Sequence, residues 1–346
     1  MKKRINNLSK KIKKNNLDGF ITKNPANINY LTGINEAEGW LLVTAGKELF
    51  FFTAPIYTKL IKNLPYLKVI STKQNFEEKI VRKAKKLKLK KIGFSKQAIS
   101  LTNYQKLNEN FKVKDIGFVF SKPLINSLRM QKDKNEIRLI KKAASVSLEA
   151  FDYAGEIFQQ TMSEKDLAIE IERFLKIKSD NKVAFPPIVA SGKNTVFAHH
   201  QPKENLINNF FLIDLGAMHC GYCADLTRIF FWGKMPSLFQ KAYDTIKKAH
   251  DTAISKIKEG KKVSEIDKVA RDIVEKEGFG SYFLHGLGHG VGLEVHEPPY
   301  LKPNQDETLK EGMVVTIEPG IYYKNQFGLR LENMVVVHSK NGEVIS

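Results

Sequence analysis

The hydrophobic pattern divides the chain into two regimes. Over the first 125 residues, short apolar runs (GFIT, GWLLVT, ELFFFT, LKVI, KKIGF) alternate with Lys-rich amphipathic segments such as FEEKIVRKAKKLK. Apolar runs of this length bounded by polar residues read as buried strands, and the lysine-punctuated stretches read as helices. A compact α/β domain over residues 1–125 follows. The segment SLRMQKDKNEIRLIKKAASVSLEAFDYAGEIF then begins polar and places Ile137, Ile140, Ala144 and Leu148 on one face of a long helix. A second helix is predicted near 163–178, opening at Ser163 with Asp166 three residues on, close to a capping box. Further helices are predicted over 237–258, stopping before Gly260, and over 264–277. Between and after them FFLIDLG, LTRIFFW, GLEVH, MVVTIEPGIYY and LENMVVVH read as strands, so residues 126–346 form a second domain of α+β type.

Composition adds to this picture. At 346 residues, with 42% hydrophobic and 27% charged, the chain is an ordinary globular one with enough sequence for two domains. Runs such as WLLV and LFFF fall far short of the ~20 apolar residues that span a bilayer. MKKRINNLSKKIKKNN lacks the apolar core of a secretory signal. With only Cys220 and Cys223 there is no disulfide scaffold, and a cytoplasmic location is the expectation.

The net charge of +19 suggests a nucleic-acid partner until it is divided along the chain. Residues 1–125 carry 26 Lys and Arg against 8 Asp and Glu, whereas the rest is almost balanced, 30 against 29. Forty-eight of the 56 basic residues are Lys and 8 are Arg, while nucleic-acid surfaces that read sequence lean on Arg forks and stacked aromatics. The surplus therefore reads as solvated helix faces, and no nucleic-acid or membrane partner is expected.

Charge matters more where it interrupts apolar strands. Asp214 sits inside FLIDLG and Asp225 opens LTRIFFW, with Gly216 and Gly221 favouring a tight connection between them. Glu318 in MVVTIEPG and Glu332 in LRLEN repeat the arrangement. One buried acid is most often a hydrogen-bonded strand-end residue. Four inward carboxylates without cations would repel one another strongly. With His289 they make five hard or borderline ligands, a set suited to a pair of divalent ions sharing bridging carboxylates.

HGLGHGVGLEVHEPP adds three imidazoles, His285, His289 and His296. Its glycines would let the backbone pass close to a ligand. Five of the eight histidines lie in this segment or in the AHH step holding His199 and His200.

DLGAMHCGYCADLTR, HGLGHGVGLEVHE, TIEPGIY and FGLRLEN, in that order, resemble the successive motifs of the pita-bread metallopeptidases, specifically the Xaa-Pro branch containing aminopeptidase P and prolidase. NINYLTGINEAEGWLLVT resembles the start of the creatinase-type N-terminal domain that precedes the catalytic domain in this branch. The resemblance implies a creatinase-like domain over 1–125 and a pita-bread catalytic domain over 126–346. It makes Asp214, Asp225, His289, Glu318 and Glu332 the ligands of two divalent ions, manganese first, cobalt or zinc otherwise. It further implies that Glu318 shuttles the proton, that His199 and His296 assist at the scissile carbonyl, and that His285 and Arg330 line the proline side of the pocket. Proline-containing peptides are the implied substrates and a homodimer the implied assembly.

His285, Arg330 and the N-terminal domain separate the chain from methionine aminopeptidases, which share the cage. The expected reaction is cleavage between an N-terminal residue and proline, an Xaa-Pro aminopeptidase. Xaa-Pro dipeptidase (prolidase) is the alternative, and a non-catalytic pita-bread protein binding through its basic N-terminal domain is the third reading. Asn333 stands where the family usually has Asp, which predicts tuning of the site rather than loss of activity. His200 reads as an exposed neighbour of His199. The CxxC of Cys220 and Cys223 beside His219 has no second cysteine pair and reads as part of a loop rather than as a redox or zinc motif.

Overall fold

Phe50, Phe51 and Phe52 are all at 0% exposure. Because side chains alternate across a strand, both faces of the sheet holding Leu49–Thr53 must be covered. The computed structural model describes residues 1–346 apart from 36, 60, 62 and 63, so Glu36 of the NINYLTGINEAEGWLLVT segment lies outside the described residues. The first unit, Met1–Arg129, is built on one mixed sheet. Among the described residues its strands run in the order Leu67–Ser71, Leu49–Thr53, Gly39–Thr44, Gly19–Thr22, Lys91–Phe94 and Gly117–Phe120. Gly39–Thr44 is antiparallel to both neighbours and the other pairs are parallel.

The helices of this unit follow their own periodicity. Phe76–Lys86 buries Ile80, Val81 and Ala84 and leaves Lys79, Lys85 and Lys86 in solvent. Lys2–Lys14 buries Ile5, Leu8 and Ile12, packing on Gly39–Thr44. Those lysines thus lie on outer helix faces, where the ammonium stays hydrated.

The second unit, Met130–Ser346, uses one plan twice, a helix pair followed by antiparallel strands. In the first half Asp133 opens Lys134–Ile157. Its Oδ1 accepts the Glu136 N–H at 3.0 Å, and Glu136 Oε2 accepts the Asp133 N–H at 2.9 Å. Ser163 and Asp166 make the same reciprocal pair before Glu164–Lys178. The buried face of the long helix runs through Ile140, Ala143, Ala144, Ser147, Ala150, Phe151 and Ala154. Leu148, expected on that face, is 36% exposed. Eight positions exceed two full turns at 3.6 residues per turn, so Leu148 drifts off the stripe that Ile140 begins.

The strands of this half lie in the order Leu226–Phe231, Phe210–Leu215, Ile188–Ser191. A small hairpin, Met218–His219 with Tyr222–Cys223, joins the first two. The second half pairs Ser237–Lys256 with Val263–Lys276 and stacks them on a sheet ordered Glu297–Leu301, Gly288–Gly290, Val314–Ile317, Asn333–Val337, Gly342–Val344.

GLEVH is not a strand. Residues 292–296 form bends, because the Gly292 N–H donates to the Glu294 carbonyl and its own carbonyl accepts from Cys223. The strand starts at Glu297 instead. MVVTIEPGIYY breaks at Glu318 and Pro319 into Val314–Ile317 and Gly320–Tyr323, Pro319 having no N–H for a ladder. The glycines of HGLGHGVG allow a close approach of neighbouring backbone and side chains. A Cβ at Gly288 would strike the Thr316 carbonyl, and one at Gly292 the Glu297 carboxylate. Among the described residues no helix is long and apolar enough to cross a membrane.

Candidate metal centre

Period-two alternation aims the first acid. Phe211, Ile213 and Leu215 enter the core of the first half, so Asp214 points from the opposite face of its strand. Thr227 is its cross-strand partner and Asp225 immediately precedes Leu226–Phe231. In the second half Glu318 follows Val314–Ile317 and Glu332 precedes Asn333–Val337. Ile317 and Asn333 are paired, so the two glutamates flank one register position. His289 lies on the neighbouring strand, where Gly290 pairs with Val315. Both halves thus deliver acids at strand ends to one cavity of about 430 Å³, which His199, His285, His296 and Arg330 also line.

The donor atoms fall into overlapping groups. Those of Asp214, Asp225 and Glu332 lie within 4.8 Å of one another, as do those of His289, Glu318 and Glu332, and of Asp225, His289 and His296. Glu332 belongs to the first two groups, and Asp225 to the first and third. His289 Nε2 is 3.1 Å from Glu318 Oε1 and 3.5 Å from Asp225 Oδ2. Thr316 supports both partners, its Oγ1 accepting the His289 N–H and donating to Glu318 Oε1, each at 3.0 Å.

Electrostatics test whether this set fits cations. Burial and then the neighbouring carboxylates push Asp225 well above the ordinary range and raise Glu332 to about 8. Burial raises Asp214 as well, despite Arg330. Burial would also raise Glu318, but the hydrogen bond and charge of His289, together with the charges of His285 and Arg330, outweigh it and bring the group down to about 2. Asp214 Oδ1 and Glu332 Oε1 are buried with no hydrogen-bond partner among the described residues. Carboxylates crowded until they resist ionisation, with bare oxygens facing inward, are what divalent cations would satisfy. The residues present fit such ions.

Arg330 lines this cavity but is 4% exposed, and its guanidinium is engaged. Nη2 donates to Asp214 Oδ2 at 2.6 Å, Nη1 to the Tyr322 hydroxyl at 2.9 Å, and Nε to Thr227 Oγ1 at 3.0 Å. Thr227 in turn donates to Glu332 Oε2 at 2.7 Å. One fork therefore orients two of the acids. His285 Nε2 is 3.0 Å from the same Tyr322 hydroxyl, and burial lowers its pKa. His296 is exposed at the rim, its ring 4.2 Å from that of His289.

Thr227, Thr316 and Tyr322 escaped the sequence reading. Their signal was spacing, two residues from Asp225, two from Glu318 and four from Glu318. His200 is a correction. It is buried, with Nε2 2.8 Å from Glu164 Oε2, because that fully buried carboxylate also collects the Ser191 and Lys203 N–H groups and the Asn194 amide. His199 is the member of the pair that is exposed and faces the cavity. Asn333 turns to the chain end, its amide donating to the Ser346 carbonyl and, at 3.3 Å, to Ser346 Oγ.

Comparison with known proteins agrees with this architecture. Residues 138–339 match the profile of metallopeptidase family M24, and residues 4–131 that of the creatinase/prolidase N-terminal domain. The chain is 32% identical over 348 residues to an Xaa-Pro dipeptidase of Pyrococcus furiosus, covering 99% of this chain and 97% of that one. Its fold is similar to the solved Xaa-Pro dipeptidase of Bacillus anthracis (TM-score 0.94, 29% identity, 99% and 96% covered). It is also similar to the X-Pro aminopeptidase of Thermotoga maritima (TM-score 0.86, 29% identity, 95% of each chain). The match over most of residues 130–346, which hold the cluster of four carboxylates and one imidazole, shows that this chain belongs to the pita-bread metallopeptidases of family M24, with a creatinase-type N-terminal domain ahead of the catalytic one.

Proposed function

We propose that the protein is an Xaa-Pro dipeptidase that works with two divalent ions, manganese first among them. The end-to-end similarity to the Pyrococcus furiosus dipeptidase carries the substrate class. This favours the dipeptidase over the aminopeptidase expected from the motifs alone. A cavity of about 430 Å³ is at the small end of ligand sites, a size suited to a short peptide. The aminopeptidase reading retains one supporting observation, the fold similarity to the Thermotoga maritima enzyme. Four carboxylates and one imidazole favour oxygen-seeking ions, which is the argument for manganese over zinc. The homodimer and cytoplasmic location implied by the motifs belong to the same proposal.

When bound, such ions supply Lewis-acid polarisation and a water of lowered pKa. The protein's own groups do the rest. Glu318, held by Thr316 and His289, takes the proton of the attacking water and returns it to the proline nitrogen. That nitrogen lacks an N–H in the substrate and needs a proton to leave. His199 and His296, exposed on the cavity wall, donate where charge develops on the carbonyl oxygen. His285 and Tyr322 shape the proline side, while Arg330 keeps Asp214 in its ligating orientation. Turnover of Xaa-Pro dipeptides against Xaa-Pro-Xaa tripeptides tests the assignment. Faster cleavage of the dipeptide is expected, and tripeptide cleavage with little dipeptide cleavage overturns it.

A further inference from the structure

The hairpin between the two aspartate strands carries a feature that the peptidase site does not use. At its tip Cys220 and Gly221 have φ of 50° and 80°, the paired left-handed residues of a two-residue turn. Asn or Gly suits the first of these positions and cysteine does not, so turn chemistry does not account for Cys220. Cys223 is buried in the core, whereas Cys220 is exposed. The CxxC therefore does not act as a pair.

Cys220 has other company. Its Sγ lies 3.8 Å from His219 Nε2, and His219 Nδ1 lies 3.6 Å from Asp180 Oδ1, on the turn that follows helix Glu164–Lys178. The second Asp180 oxygen accepts the Cys220 backbone N–H and ties that turn to the hairpin tip. Donor atoms of all three residues fall within 4.8 Å of one another. With bonds of about 2.3 Å to sulfur and 2.0–2.1 Å to nitrogen, tetrahedral zinc separates such donors by roughly 3.6 Å. The Sγ–Nε2 distance of 3.8 Å is already close to that value.

We propose that Asp180, His219 and Cys220 form a separate surface site for a borderline-soft divalent cation of the zinc type, with the fourth position open to solvent. Thiolate, imidazole and carboxylate together select zinc or cobalt, in contrast to the oxygen-rich cage. Binding releases the thiol proton of Cys220, whose sulfur becomes a ligand, and pins the Asp214–Asp225 connection to residue 180.

Cobalt titration of the manganese-loaded protein reads this site directly. Only a thiolate ligand gives a sulfur-to-cobalt charge-transfer band in the near ultraviolet, and the cage contains no sulfur. The band is expected to saturate at one equivalent and to vanish in Cys220→Asn, a residue that suits the turn. His219→Ala and Asp180→Ala should weaken cobalt binding at least tenfold, on the order of what lost metal-site partners cost. Peptidase activity should stay unchanged in all three variants. The proposal fails if wild type gives no band, if the band survives Cys220→Asn, or if both alanine variants bind cobalt as wild type does.

Discussion

Arg330 Nη2 lies 2.6 Å from Asp214 Oδ2, and this contact sets how the cage is held. Burial raises the Asp214 pKa, and Arg330 is the first influence opposing it. The same side chain reaches Glu332 through Thr227. A planar fork with donors in fixed directions can serve Asp214, Tyr322 and Thr227 together, and an ammonium cannot.

Arg330→Lys is therefore expected to weaken metal binding by about 10- to 100-fold, the usual cost of losing a partner that orients a ligand. Excess metal should restore much of the turnover. Calorimetric titration of the variant checks this, and wild-type affinity would assign Arg330 to substrate alone.

Glu318→Gln keeps the side-chain shape and removes the proton acceptor. Turnover should fall by about 10²- to 10⁴-fold and stay low at metal saturation. The readout is kcat at saturating metal, and recovery there would reduce Glu318 to a ligand.

The metal-free protein should lose stability as pH rises. Glu332 has a folded pKa of about 8 against an ordinary 4.5, so between these values the folded chain holds a proton that the unfolded chain has released. Stability is then greatest below that window and falls through it, with Asp214 and Asp225 shifted in the same direction. Cations replace those protons, so the gain in Tm on adding manganese should grow from pH 5 to pH 8. A chelated protein whose Tm rises steadily across that window contradicts the repulsion argument.

His199 and His200 should separate cleanly. His200→Ala leaves the buried Glu164 short of a partner and should cost about 1–3 kcal/mol of stability with kcat nearly intact. His199→Ala should lower kcat with little change in Tm. Paired thermal melts and kinetics check both, and reversed phenotypes would mean the two rings have been assigned the wrong way round.

The acids that meet in the cavity were legible because a carboxylate inside or at the end of an apolar strand conflicts with burial unless something compensates it, and Asp214, Asp225, Glu318 and Glu332 each present that conflict. Helix starts were legible from their local capping residues, as at Ser163 and Asp166. What could not be read depends on distant partners. His200 is buried by Glu164, 36 positions away, and the guanidinium of Arg330, which lines the cavity, is also engaged by Asp214, 116 positions away. GLEVH misled because its alternation mimics a strand, whereas Gly292 bends the backbone against Glu297. Leu148 misled because a stripe of four residues is too short to show its own drift.

A dinuclear site that hydrolyses Xaa-Pro dipeptides, as proposed, ties turnover to bound metal. Chelator-stripped protein titrated with manganese, with bound metal and Xaa-Pro dipeptide turnover followed together, tests it most directly. No turnover without metal and a plateau at two bound equivalents are expected. Full activity in the stripped protein, a plateau at one equivalent, or no turnover with both positions filled would contradict it.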